Sequence, residues 1–230
     1  MRLDLAADEP FRRGDLEVVG QMPRSSNGTF LVRTSAGLAV YKPGQLERPL
    51  WDFPGGLYRR ERAAYLVSEA LGWGIVPVTV LRDGPFGPGS VQEFIIADFS
   101  QNYYTLLEAG SHTDELLQIG LFDLAVNNAD RKAGHVLLDF EGHIWAIDNG
   151  LTFHEEPKLR TVIWELGGLS VPERYREDLA RVADDPPEEL SDCLSEGAVS
   201  LLRRRLAAVS ALASYLDVPE EERPYPWPIF

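Results

Sequence analysis

Two aspartates bracket a hairpin, and this constrains the chain more than any other feature. Within residues 127–149, NNADRKAGHVLLDFEGHIWAIDN, a loop holding Asp130 leads into two strand-like runs, 136–140 and 143–147. A second loop then holds Asp148. Glu141-Gly142 between the runs is a two-residue hairpin signal. A hairpin folded on itself brings its ends together, so the two carboxylates are expected side by side in one cleft. One carboxylate beside an acceptor hydroxyl and another on Mg²⁺ is the pairing that phosphoryl transfer needs, because its catalysis is positioning and charge neutralisation. Asp and Asn are also common turn residues, so this pattern alone reads equally as turn punctuation. Agreement with distant parts of the chain decides between the two.

The first half alternates strands and turns. Residues 29–33 and 38–41 flank the turn Ser35-Ala36-Gly37 as an antiparallel hairpin. Residues 59–71 read as a helix with Ala64, Val67, Ala70 and Leu71 on one stripe, stopped by Gly72. Residues 76–81 and 91–96 are short apolar runs separated by DGPFGPG, a loop dense in breakers. From about residue 97 the pattern turns helical. Ser111 and Asp114 suggest a capping box opening an apolar, buried helix through Val126. Residues 174–183 and 198–216 are helical, the second with a stripe from Leu201 to Leu216. The tail PYPWPIF is expected to be extended, because prolines fix φ and remove donors. The expected fold class is α+β: a two-lobed, protein-kinase-like single domain, with a β-rich lobe over residues 1–95 and a helical lobe over 96–230.

At 230 residues with 44% hydrophobic content, such a chain can bury a sizeable core. A net charge of −14 argues against nucleic acid and against an anionic membrane face. The lone cysteine, Cys193, permits no internal disulfide and has no nearby histidine to make it a nucleophile. No signal-like or membrane-length segment is present, and a cytoplasmic location is expected. Lys42, Lys132 and Lys158 are the only lysines.

Lys42, in AVYKP at the end of a hairpin strand, stands where a kinase small lobe holds nucleotide phosphates. The preceding loop offers small hydroxyl residues and a glycine as a phosphate cradle: Ser25, Ser26, Asn27, Gly28 and Thr29. Glu61, on the following helix, is in order to hold Lys42 over those phosphates. Gln92, Glu93, Phe94 and Ile95 lead into the helical half and are placed to meet an adenine edge with backbone groups. His135 is open to three readings: a metal ligand, a hydrogen-bonding group that orients a phosphate, or a filler. Mg²⁺ prefers oxygen, which makes imidazole an uneasy ligand. As a ligand, its protonation would remove metal-dependent activity below pH ~6.5. Lys158 and Arg160 either meet an anionic substrate or pair with Glu155 and Glu156.

The ordered motifs SSNGTF, VYKP, RRERAAYLVSEALGWGIVPVTVL, QEFI, NNADR and AIDNGLTF resemble the phosphatidylinositol 3-/4-kinase-like family. They are similar above all to type II phosphatidylinositol 4-kinases and small actinobacterial relatives, over about residues 25–153. HipA-type bacterial protein kinases share the general plan. The resemblance implies ATP and Mg²⁺ as cofactors. It implies Lys42 on the phosphates, Glu61 as its partner and the QEFI segment as the adenine hinge. Asp130 would be the catalytic aspartate, Asn128 and Arg131 would shape its loop, and Asp148 would be the principal metal ligand, with His135 standing where relatives usually carry asparagine. The acidic surface speaks against a bilayer substrate. The expectation is an ATP-dependent phosphotransferase acting on an alcohol group of a soluble, inositol- or sugar-like molecule or of a protein. A regulatory nucleotide-binding pseudokinase or an adenylyltransferase is the alternative. The sequence leaves the oligomeric state open.

Overall fold

The computed structural model describes residues 1–23, 27–220 and 223–230. After a short helix α1 (Glu9–Arg12), the chain forms β1 (Glu17–Gln21), β2 (Phe30–Thr34) and β3 (Gly37–Pro43). Helix α2 (Leu57–Leu71) and the hairpin β4 (Thr79–Gly84) and β5 (Gly87–Glu93) follow. The five strands make one antiparallel sheet in the order β1-β2-β3-β5-β4. The remainder is helical, with α3 (Tyr103–Ala109), α4 (Thr113–Val126), α5 (Glu173–Asp184) and α6 (Glu196–Ser210). Between α4 and α5 lies the two-stranded hairpin β6 (Val136–Leu138) and β7 (Ile144–Ala146).

Alternation in β3 decides which face carries chemistry. Ala39 and Tyr41 point into a small core with Val32, Val80 and Val91, so Val40 and Lys42 point the other way. Helix α2 is sharply bounded. The Glu47 carboxylate accepts from the N–H groups of Gly56 at 2.9 Å and Tyr58 at 2.8 Å, satisfying donors at the helix start. Gly72 ends it at φ 74, donating to the Glu69 carbonyl at 2.9 Å. The buried face of α2 (Ala63, Leu66, Val67, Leu71) belongs to the same core as Phe122 of α4, Leu179 of α5 and Leu206 of α6. That shared core seats Glu61 against the β6–β7 region.

Several elements differ from the sequence-based expectation. Strands β4 and β5 run into the breaker-dense stretch, because the turn consumes only Pro85 and Phe86. Gly89 is required there: a Cβ would lie 2.5 Å from the Lys42 carbonyl oxygen, so only glycine lets β5 approach β3 at the lysine. The Ser111–Asp114 capping box does not form. His112 occupies the N-cap, and the Asp114 carboxylate instead accepts from Arg174 and from the Tyr175 hydroxyl. Helix α6 stops at Ser210 rather than Leu216. The tail forms no helix, bends at Tyr225, Trp227 and Pro228, and is bound to the helical half: the Pro224 carbonyl accepts from Thr161 N–H at 2.9 Å and Trp164 Nε1 at 3.0 Å. Among the described residues, no helix is long and apolar enough to cross a membrane.

Candidate functional site

The closing of the β6–β7 hairpin brings Asp148 to Lys42. Lys42 Nζ lies 2.8 Å from Asp148 Oδ1 and is also hydrogen-bonded to Glu61 Oε1. Glu61 Oε2 accepts from the Asn149 N–H at 3.0 Å, so strand β3, helix α2 and the Asp148 loop are tied through one carboxylate. Burial alone would depress the Lys42 ammonium, but Asp148 and Glu61 outweigh it and hold it protonated above its ordinary range. Lys42 in turn holds Asp148 well below the usual carboxylate range. Glu61 is pushed up by burial against the pull of Lys42. Asp148 itself sits at φ 59, and its side chain is about half exposed to the cleft (51%). A left-handed non-glycine backbone here is a local strain at the point where the carboxylate must turn outward.

Asp130 follows α4 on a loop built around one buried acid. Asp123, wholly buried in α4, accepts from Arg131 Nε and the adjacent guanidinium nitrogen at 2.9–3.1 Å. It also accepts from Asn128 Nδ2 at 2.9 Å and the Thr161 hydroxyl at 3.2 Å. Arg131 is 0% exposed and donates onward to Asn149 Oδ1 at 2.6 Å and the Ile147 carbonyl at 2.7 Å. Asn128 Oδ1 accepts the Asp130 N–H at 2.9 Å. Arg131 and Asn128 therefore spend their polar groups inside the protein, joining the two aspartate loops, and do not face the cleft. Desolvation raises the Asp130 carboxyl to about 6, partly offset by Lys132, whose ammonium is 3.2 Å away. Asp123, Asn149 and Thr161 escaped the sequence reading. The one available signal was a carboxylate inside an otherwise apolar helix, which a buried position leaves in need of a partner.

His135 sits between the loops, its Nε2 3.4 Å from Asp148 Oδ2. Its Nδ1 accepts the Lys132 N–H at 3.4 Å, so in the neutral ring the proton lies on Nε2 and points toward Asp148. Burial lowers the imidazole to about 4, so the ring is neutral at physiological pH. Among the described residues no group of three His, Cys, Asp or Glu side chains is placed to cage a metal.

The remaining sequence candidates divide. Ser25 and Ser26 lie outside the described residues. Asn27 Oδ1 accepts from Arg48 N–H at 2.9 Å and Gly28 N–H donates to Leu46 O at 3.2 Å. Those two groups pin the β1–β2 loop to the segment after β3 instead of facing an open cradle. Thr29 is buried, and its carbonyl accepts from Met22 N–H. Gln92 is a sheet residue: it pairs with Val40 and Thr79 across β5, and its amide donates to the Thr79 hydroxyl at 2.8 Å. The Glu93 and Phe94 N–H groups are likewise taken, by Val78 and Leu38 carbonyls. Ile95 is the first of the four whose backbone, among the described residues, has no hydrogen-bond partner.

A cavity of about 860 Å³ is walled by Trp51, Phe53, Arg60, Phe153, His154 and Lys158. Phe53 also packs with Leu57 and with Ala129, the residue before Asp130. Cys193 borders the cavity, with its thiol pushed up to about 11 by burial, which keeps it unreactive.

Comparison with solved structures places this arrangement in the protein-kinase-like fold. Hydra Fam20, solved with sugar, superposes with a TM-score of 0.57 at 13% identity over 89% of this chain and 86% of that one. The Golgi casein kinase with Mn and ADP bound gives 0.53 at 14% identity, covering 89% and 74%. The Helicobacter pylori proinflammatory kinase CtkA gives 0.53 at 11% identity, covering 87% and 93%. At such identities the likeness is one of fold. No family model matches the chain. Protein Rv2133c of Mycobacterium tuberculosis is 36% identical over an alignment 260 positions long, which takes in 94% of this chain and 93% of the relative, and the chain belongs to the family of that protein.

Proposed function

We propose that the protein is an ATP- and Mg²⁺-dependent phosphotransferase that phosphorylates an alcohol. The observation that carries this reading is the convergence of Lys42, Glu61 and Asp148 from three separate elements, with Asp130 at the same open end of the β6–β7 hairpin and near enough for the Asp148 charge to act on its carboxyl. Bound MgATP supplies the transferable phosphoryl group and neutralises its charge. The donor set fits it: Mg²⁺ is commonly held by one or two carboxylates plus substrate phosphates, and Asp148 offers a half-exposed oxygen donor.

Lys42, fixed by Glu61, presents an ammonium to the phosphates. Asp130, raised to about 6, is a carboxylate at neutral pH and accepts the proton of an acceptor hydroxyl. The Asp123–Arg131–Asn149 network holds the two aspartate loops in register. His135 acts as a hydrogen-bond donor toward oxygen rather than as a metal ligand, since Nε2 carries the proton when Nδ1 accepts from Lys132. The backbone groups of Ile95, unpaired among the described residues, would hold the adenine edge. The motif resemblance to phosphatidylinositol 3-/4-kinase-like enzymes supports this reading, as does the nucleotide in the Golgi casein kinase. We take residues 1–95 and 96–230 as two lobes of one kinase-like domain, acting in the cytoplasm on a soluble acceptor.

Calorimetric titration with MgATP tests the nucleotide site. The wild type should bind, and Lys42→Ala should weaken binding by about 1–3 kcal/mol, the scale of a lost charge-assisted hydrogen bond. Equal affinity in the two, or no binding by the wild type, overturns the reading.

A further inference from the structure

The chain after Asp148 does not simply leave the site. It loops out and returns beside Asp130. Asn127, at φ 56, staples the loop: its amide donates to the carbonyls of His154 at 3.1 Å and Glu156 at 2.8 Å, and its oxygen accepts the Lys158 N–H at 2.9 Å. Arg160 then donates its N–H to the Asn128 carbonyl at 2.8 Å and accepts the Arg131 N–H at 3.0 Å. These two bonds straddle residue 130, so the Arg160 backbone is fixed directly alongside the proposed catalytic aspartate.

The returning segment carries two cations, Lys158 and Arg160, after the carboxylates Glu155 and Glu156. Lys158 Nζ and an Arg160 guanidinium nitrogen both lie 3.9 Å from one oxygen, Asp52 Oδ2. Two positive charges share one carboxylate at the outer limit of ion-pair distance, so Asp52 alone does not balance both. Glu156, 3.6 Å from Lys158, is largely exposed and compensates little. The cavity wall also carries Arg59 and Arg60, which donate to the carbonyls of Asp192 and Thr152, and Glu155, whose charge acts on Arg60. A carbonyl satisfies a donor without cancelling its charge. Trp51, 97% exposed at the cavity, offers an uncovered aromatic face.

We propose that this cavity is the acceptor site and that Lys158 on its wall, with Arg160 beside it across Asp52, binds an anionic group, phosphate or carboxylate, on a small alcohol whose hydroxyl is thereby brought to Asp130. The assignment rests on the phosphotransferase reading and narrows its substrate class. The volume falls within the range of small-molecule sites. Arg160 offers a fork that suits a planar or tetrahedral oxyanion, and Lys158 adds a point charge. Asp52 is the internal competitor for both cations.

The test is titration of the protein, saturated with MgADP, by glycerol 3-phosphate, glycerate, inorganic phosphate and neutral glycerol, followed by ligand-observed NMR. The two hydroxy anions should bind and glycerol should not, with the phosphate and carboxylate arms showing which oxyanion is preferred. The double variant Lys158→Ala/Arg160→Ala should weaken anion binding about tenfold or more, while Asp52→Asn should strengthen it. MgADP affinity should be the same in all three proteins. A purely structural role for Lys158 and Arg160 would not let Asp52→Asn improve binding. The proposal is overturned if no hydroxy anion binds the wild type, or if both variants bind it as the wild type does. Failure of MgADP itself to bind would instead strike the nucleotide reading, and the same titrations without nucleotide would then decide the anion site.

Discussion

Lys42 on β3 and Asp148 after β7 meet at 2.8 Å although 106 positions of sequence separate them. Glu61 holds the same ammonium from α2. One cation thus stands between two carboxylates, and a polyanion with its metal entering the cleft would find Lys42 already oriented and Asp148 already ionised.

Asp148→Ala should separate metal from nucleotide. In the wild type, Mg²⁺ should strengthen ATP binding relative to ATP with a chelator, because under the proposed function Asp148 would supply the oxygen donor. In the variant the two titration curves should coincide. Retention of the full Mg²⁺ enhancement would remove Asp148 from the metal site.

Asp130→Asn should keep nucleotide affinity and lose transfer, the pattern of a group that acts on the acceptor. Its raised value of about 6 also fixes a pH dependence. The carboxylate form is the active one, so the wild-type transfer rate should rise with pH through about 6 and fall below it. A rate independent of pH between 5 and 7, on the order of one unit either side, would contradict this role.

For His135 the pH dependence to expect depends on its burial. An ordinary imidazole would give an acid limb near pH ~6.5, but burial lowers this ring to about 4 and keeps it neutral throughout that range. His135→Asn should therefore leave the limb where Asp130 sets it. Disappearance of the limb in His135→Asn, measured by initial rates against pH, would assign the titration to the histidine instead.

The Asp123–Arg131 pair should matter to stability more than to chemistry. Both side chains are wholly buried, so Asp123→Asn leaves a guanidinium without its counter-charge, at a cost of about 3–5 kcal/mol. Urea unfolding of the variant should show that loss. A change of under about 0.5 kcal/mol, the scale of an exposed pair, would mean that the network is solvated.

The residues legible in the sequence were those whose chemistry does not depend on long-range packing. That Asp130 and Asp148 flank one end of a hairpin was legible because a hairpin must close, and α2 could be bounded because Gly72 ends an apolar stripe. The β4–β5 boundaries were not legible. Glycine and proline usually mark loops, whereas Gly89 serves a close approach to β3 that only the folded sheet defines. Strand β1 was missed as well: it is short, lies at the sheet edge and slips register between Val18 and Gly20, so it carries no clean alternation. Asp123 stayed hidden because its partners Asn128, Arg131 and Thr161 converge only in three dimensions. Gln92 read as linker because a strand end and a hinge look alike until pairing with Val40 and Thr79 is known.

The central claim is that the cleft transfers the terminal phosphoryl group of ATP to an alcohol. Parallel incubations with γ-labelled and α-labelled ATP, Mg²⁺ and a metabolite extract test it most directly, with Asp130→Asn as the control. The account predicts a new product carrying γ-label and no α-label, formed by the wild type and lost in the variant. A product carrying α-label would show adenylyl transfer, and no labelled product in either incubation would show a nucleotide-binding protein without transfer; either result contradicts the account.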